Sequence, residues 1–98
     1  MRQEGASGAV AGDEAGIERT VRAALAEATG LDPARVAAFE ASTGLFGSLP
    51  EFDSMALAAL LTALEEKLGI LIEDHEVDAE TMETFGGLLD FAKAKVRG

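Results

Sequence analysis

Leucines recur at Leu57, Leu60, Leu61, Leu64 and Leu68, the i, i+3, i+4, i+7, i+11 spacing of one apolar helix face. The pattern predicts a helix from about Ser54 to Leu68, ended by Gly69 as its C-terminal cap. Two more amphipathic helices flank it. Ile17, Val21, Leu25 and Ala28 share one face of a segment that starts at Asp13 or Glu14, with Asp13 able to cap it, and stops before Thr29-Gly30. Phe85, Leu88, Leu89, Ala92 and Val96 share another face, from Thr84 as cap to Val96. Lys93, Lys95 and Arg97 suit the negative end of that helix. Gly86-Gly87 is expected to weaken its first turn.

Between the helices the pattern changes character. Leu31 to Phe52 contains Pro33, Gly44, Gly47 and Pro50, which punctuate regular structure, but also Val36, Phe39, Leu45, Phe46, Leu49 and Phe52. These are too many large apolar groups for a free linker. The segment is expected to lie pinned across the helix ends, with Pro33 starting a short turn of helix. Ile70-Leu71-Ile72 is too brief to assign as a strand and is expected to plug the core. Asp74 to Ala79 reads as one short helical turn capped by Asp74. Residues Met1 to about Gly12 are rich in Gly, Ala and Ser without a period and are expected to form a disordered tail. That leaves residues 13–98 as a single domain. The expected fold is all-α: a small four-helix bundle of three main helices plus one short helix, with a long loop between the first two main helices.

Composition narrows the functions open to such a bundle. A chain of 98 residues buries only about two-thirds of the surface its unfolded form exposes, so a deep preformed active site is hard to build. Hydrophobic residues make up 48% of the chain, without Trp, Tyr or Cys, so the core must come from Leu, Ala, Val and Ile with five Phe. Zero cysteines exclude disulfides and thiolate metal sites. No apolar run approaches membrane-spanning length, and the N-terminus lacks the apolar core of a signal peptide. The expectation is a cytoplasmic monomer with no membrane insertion.

Charge adds a direction. The 18 acidic residues against 8 basic ones give a formal net charge of -10, which makes DNA and RNA poor partners. Glu51, Asp53, Glu65, Glu66, Glu73, Asp74, Glu76, Asp78, Glu80 and Glu83 face the single base Lys67 within one third of the chain. This stretch is either a solvated surface that keeps the protein soluble or a patch that steers basic partner proteins.

The candidate chemistry centres on Ser54, which stands where the loop gives way to the middle helix. A hydroxyl there lies beside unpaired backbone N–H groups and the positive end of the helix dipole, a place that suits a phosphate. As a nucleophile it would need a base. The only histidine, His75, lies beyond the far end of the helix, about 20 Å away at 1.5 Å per residue. There is no Gly-x-Ser-x-Gly elbow, and Asp53, adjacent but exposed, is a weak base. Self-activated catalysis is therefore set aside. A lone His is a poor metal site. Glu73, Asp74, Glu76, Asp78 and Glu80 alternate roughly like calcium-loop ligands but lack the EF-hand glycine and spacing. Two readings of Ser54 remain: a plain helix cap, or an acceptor modified by another enzyme.

Asp53-Ser54-Met55 resembles the Asp-Ser-Leu attachment motif of acyl carrier proteins. The Leu64–Gly69 stretch, Ile70-Leu71-Ile72, the acidic run Asp74–Asp78 and the Thr84-Phe85 start of the last helix agree in order and spacing. The likeness extends from Ile17 to Val96. It implies a four-helix carrier-protein bundle with a 4'-phosphopantetheine arm on Ser54, transferred from coenzyme A by a phosphopantetheinyl transferase. The arm's thiol would hold acyl groups as thioesters. The chain would be a carrier rather than an enzyme, served by an acyl-loading ligase or acyltransferase and by ketosynthases or other enzymes with basic docking patches. By the same likeness Asp53, Met55, Glu65, Glu66 and Glu76 fall where carriers meet partners, and Leu60, Leu64, Ile72, Phe85 and Leu89 where an acyl chain would lie.

Two departures qualify the likeness. Ala56 and Ala59 stand where carriers of fatty acid synthesis usually show acids, and the approach Phe46 to Phe52 differs from the usual short Leu-Gly sequence. Both favour a free-standing specialised carrier of secondary metabolism, lipid or surface-polymer synthesis. The alternatives are an aminoacyl or peptidyl carrier, and an acidic helical adaptor without a prosthetic group.

Overall fold

A computed structural model describes residues 14–98. The expected tail and the Asp13 cap lie outside the described residues. Within them the chain forms four α-helices: α1 (Glu14–Thr29), α2 (Pro33–Ala37), α3 (Ser54–Leu68) and α4 (Phe85–Arg97). A single 3-10 turn spans Asp74–Glu76. The described residues include no strand, only one isolated antiparallel bridge between Gly44 and Thr84. The fold is the expected all-α bundle.

The periodic leucines explain its core. α1 packs chiefly on α3 and also contacts α2 and α4. Ile17, Val21 and Leu25 meet Leu60, Leu64 and Leu68 in one buried cluster with Phe85, Leu88 and Ala92. Burying each large aliphatic side chain contributes about 1.5–3 kcal/mol. Ala28, Leu57, Leu61, Leu89 and Val96, placed on the same faces by spacing, sit half-buried at the edge of the cluster. The helix ends follow their residue types. Gly69 takes the left-handed conformation (φ 66°) and closes α3, its N–H donating to the Glu65 carbonyl. Thr84 Oγ1 accepts the Gly87 N–H at 3.1 Å and opens α4.

The short helix expected at Pro33 lies inside the long connection, where Asp32 accepts the Ala34 N–H at 2.9 Å and Pro33 supplies the first turn. Two expectations are corrected. The Asp74–Ala79 turn contracts to Asp74–Glu76, and its cap is Glu73, whose N–H donates to the Glu76 carboxylate at 3.2 Å. Leu71 does not plug the core. It is 68% exposed, while Ile70 and Ile72 rest half-buried on the cluster. A segment that crosses the core surface once turns neighbouring side chains to opposite sides, so the middle residue faces water.

The long connection is pinned, as expected, and the pins are mostly backbone. The Leu45 N–H donates to the Glu83 carbonyl (2.7 Å) and the Phe46 N–H to that of Met82 (3.0 Å). In return, the Phe85 N–H donates to Thr43 (2.9 Å) and the Gly86 N–H to Ala41 (2.9 Å). Leu45, Phe52 and Met82 are buried beneath this seam. The seam gives the glycine pair its purpose. A Cβ on Gly87 would stand 2.6 Å from the Thr81 carbonyl oxygen and one on Gly86 2.9 Å from that of Ala41. Close backbone approach, rather than helix propensity, decides those two positions.

Arg22 of α1 fastens the other end of the connection. Its Nη1 donates to the carbonyls of Val36 (2.7 Å), Ala37 (3.2 Å) and Phe39 (3.2 Å), at and just beyond the end of α2. Glu18, one turn earlier, holds the guanidinium at 2.6 Å.

Candidate functional site

The head of α3 is built by Asp53. With extended backbone (φ -94°, ψ -172°) it is the N-cap, and its Oδ1 accepts the Ala56 N–H at 2.9 Å while its carbonyl accepts the Leu57 N–H at 2.9 Å. The capping role open to Ser54 in the sequence therefore belongs to its neighbour. Ser54 is the first helical residue and is exposed. The N–H groups of Ser54 and Met55, which helix geometry leaves without intrahelical acceptors, stand beside its hydroxyl. An exposed oxygen, first-turn N–H groups and the positive dipole end together fit a phosphodiester-linked group.

A groove opens on the loop side of Ser54. About 440 Å³ in volume, it is lined by the chain from Phe46 to Pro50 and by Phe52, Asp53 and Ser54. Phe46 and Phe52 meet edge to face, ring centres 6.0 Å apart. Phe52 is buried and Phe46 half-buried. The backbone seam at Leu45 and Phe46 holds this wall in place.

The five residues expected at the partner surface separate into two groups. Asp53, Met55 and Glu66 face solvent, Met55 with 81% of its surface open. Met55 and Glu66 lie three turns apart on one face of α3, about 16 Å at the helical rise, with exposed Ala58, Ala59 and Thr62 between them. Glu65 and Glu76 are half-buried and engaged within the chain. The Glu65 carboxylate accepts the Ile72 N–H at 2.8 Å and so fixes the exit from α3. Glu76 pairs with Lys95 at 2.6 Å and ties the 3-10 turn to α4. The hydrogen bond from Lys95 holds the Glu76 carboxyl below its ordinary value of 4.5. The Thr81 N–H, 2.7 Å from Asp78, does the same for that carboxyl. Of the two alanines in place of acids, only Ala59 reaches solvent; Ala56 is buried, so its lack of charge affects packing rather than the surface.

Other candidates lie elsewhere. His75 is exposed on the 3-10 turn, away from the head of α3. Among the described residues no three His, Asp or Glu side chains gather into a metal cage, and no helix is long and apolar enough to cross a membrane. Leu60, Leu64 and Phe85 are core residues, with Ile72 and Leu89 at the core's edge. Sequence reasoning missed Arg22 and the aromatic groove. The Glu18–Arg22 spacing was a signal for the first; the carbonyls it reaches, 14 to 17 positions away, were not.

Comparison with known proteins supplies the family. The family model described as a phosphopantetheine attachment site matches residues 19–91. The solution NMR structure of a holo acyl carrier protein from Nitrosomonas europaea is 38% identical, with a TM-score of 0.73 over 84% of this chain and 96% of that one. With fold, family model and identity in agreement, the chain belongs to the acyl carrier proteins, small helical carriers that bear a covalent 4'-phosphopantetheine group.

Proposed function

We propose that Ser54 is the attachment point and that the chain presents acyl intermediates to enzymes of a specialised synthetic route. The observation that carries this is the division of labour at the head of α3: Asp53 takes the cap and leaves the Ser54 hydroxyl exposed in the first turn. When bound, the group supplies a terminal thiol that carries acyl chains as thioesters. The protein's own residues do the positioning. Asp53 fixes the helix start, and the first-turn N–H groups and dipole favour the phosphate by about 0.3–1 kcal/mol at an exposed site. The chain brings no base to Ser54; a phosphopantetheinyl transferase supplies base and metal for attachment.

Docking falls to exposed Met55, Asp53 and Glu66, with the wider acidic stretch, Glu65 and Glu76 included, as a steering field. Met55 is unbranched and polarizable and fits several partner surfaces. Complementary charge gives the fast, salt-sensitive contacts that hand-off between enzymes requires. The partners are the transferase, an acyl-loading ligase or acyltransferase, and a ketosynthase or other acyl-using enzyme with a basic patch. Exposed Ala59 leaves the first turns of α3 without the acid usual in fatty acid synthesis, which favours a specialised route. An adaptor without a prosthetic group is set aside by family membership.

The test is incubation with coenzyme A, Mg2+ and a phosphopantetheinyl transferase. Intact mass should rise by one phosphopantetheine, peptide mapping should place it on Ser54, and Ser54→Ala should abolish it. Wild-type protein left unchanged by several such transferases would sink the assignment. Loading the modified protein from panels of acyl and aminoacyl donors separates an acyl carrier from an aminoacyl or peptidyl one.

A further inference from the structure

The groove beside Ser54 shares Asp53 and Ser54 with the site, but the rest of its lining, Phe46 to Pro50 and Phe52, has no role in attachment or docking. Its wall is the chain from Phe46 to Pro50 together with Phe52. The wall is preformed: the Leu45 and Phe46 N–H groups are bonded to Glu83 and Met82, and the Phe46 ring is braced edge-on against buried Phe52. Half-buried Phe46 and Leu49 offer apolar surface within it, while Ser48 and Asp53 offer polar atoms. Ser54 itself is one of the lining residues.

We propose that this groove seats the upper part of the arm, the branched dimethyl carbon and the hydroxyl and amide that follow it, against Phe46 and Leu49. This rests on the assignment of the arm to Ser54. The groove offers both kinds of surface the arm presents: Phe46 and Leu49 for the apolar branch, and Ser48 for the hydroxyl and amide. Tethering makes a weak contact sufficient. A short flexible link gives an effective concentration on the order of millimolar, so a site of comparable dissociation constant is about half filled without any affinity measurable in trans. Partners at Met55 then meet a carrier whose arm leaves from the loop side, and the far end, with its thiol, stays free.

The test is filtered NMR on the protein loaded with isotope-labelled arm. The two methyl signals should move upfield from their positions in coenzyme A and show through-space contacts to the Phe46 ring and Leu49 methyls. In Phe46→Leu, which keeps an apolar side chain on the wall, the upfield shift should vanish while intact mass still records the arm. Methyl signals at coenzyme A positions without contacts to residues 46–52, on protein whose mass shows the arm on Ser54, would overturn the groove assignment alone. Absence of the mass gain would overturn it together with the attachment assignment.

Discussion

The guanidinium carbon of Arg22 lies 4.4 Å above the centre of the Phe85 ring, and the Phe85 and Phe39 rings meet edge to face with centres 6.3 Å apart. One side chain of α1 thereby joins the end of α2, the long connection and the first residue of α4. Arg22→Ala should lower stability by about 2–4 kcal/mol, combining hydrogen bonds from a charged donor at about 1.5–3 with a cation–π contact of about 0.5–1. Arg22→Lys should recover only part, since an ammonium cannot reproduce the planar fork. Urea unfolding midpoints measure both.

Asp53 combines a cap and a charge that substitution can separate. Asp53→Ala should cost about 1 kcal/mol of stability, whereas Asp53→Asn keeps the acceptor for the Ala56 N–H and should unfold near the wild-type midpoint. If the charge guides the transferase, Asp53→Asn is modified more slowly at low salt, and the gap closes as salt screens the wild type. Equal rates at low salt would assign Asp53 to the helix start alone.

Gly87→Ala sets two effects against each other. Helix propensity favours alanine by about 1 kcal/mol, but its Cβ would meet the Thr81 carbonyl oxygen at 2.6 Å, and overpacking costs about 1–3 kcal/mol. The obstacle is backbone, not a flexible side-chain end, so a net loss is expected. A raised melting temperature would show that the seam gives way easily.

Acid should loosen the contact between the 3-10 turn and α4. Glu76 has a folded-state pKa below its ordinary 4.5 and Asp78 one below 3.8. Each therefore contributes stability that is present above its ordinary value and lost as pH falls through the lowered one. Protonation elsewhere relieves repulsion in a chain of net charge -10 and acts in the opposite sense. The informative quantity is the difference between wild type and Glu76→Gln, which should shrink as pH falls below about 4.5. Melting curves from pH 7 to pH 3 supply it.

Glu65 and Glu66 are neighbours that demand different substitutions. Glu66→Lys reverses an exposed charge and should slow the transferase at limiting carrier by on the order of fivefold, the equivalent of about 1 kcal/mol, with little change in stability. Reversal at Glu65 would also remove the acceptor of the Ile72 N–H. Glu65→Gln, which retains an acceptor oxygen, isolates the charge. Unaltered rates for both variants at low salt would exclude this end of α3 from the transferase contact.

The helices and the serine were legible because each depends on near neighbours. The leucine spacing defined α3, Gly69 its end and Thr84 the start of α4. The Asp53-Ser54-Met55 order and the acidic run carried the resemblance to the carrier family. Features resting on distant backbone were not legible. The Gly86-Gly87 pair read as a weak helix start because Ala41 and Thr81 are remote or unperiodic partners. Leu71 read as core because apolar character says nothing about which side of a passing chain a residue takes. Glu65 and Glu76 read only as partner-facing acids because the Ile72 N–H and Lys95 become their partners in the fold.

The seam between residues 41–46 and 82–86 also bears on when the chain becomes a substrate during synthesis. Ser54 lies between its two sides in sequence, and the loop that leads into α3 is held by carbonyls and N–H groups from beyond Thr81. On a growing chain those groups are still missing when Ser54 emerges from the ribosome. An enzyme that recognises the finished approach to α3 meets it only after residues 82–86 have emerged and folded back. Attachment would then discriminate against unfinished chains without any separate checkpoint.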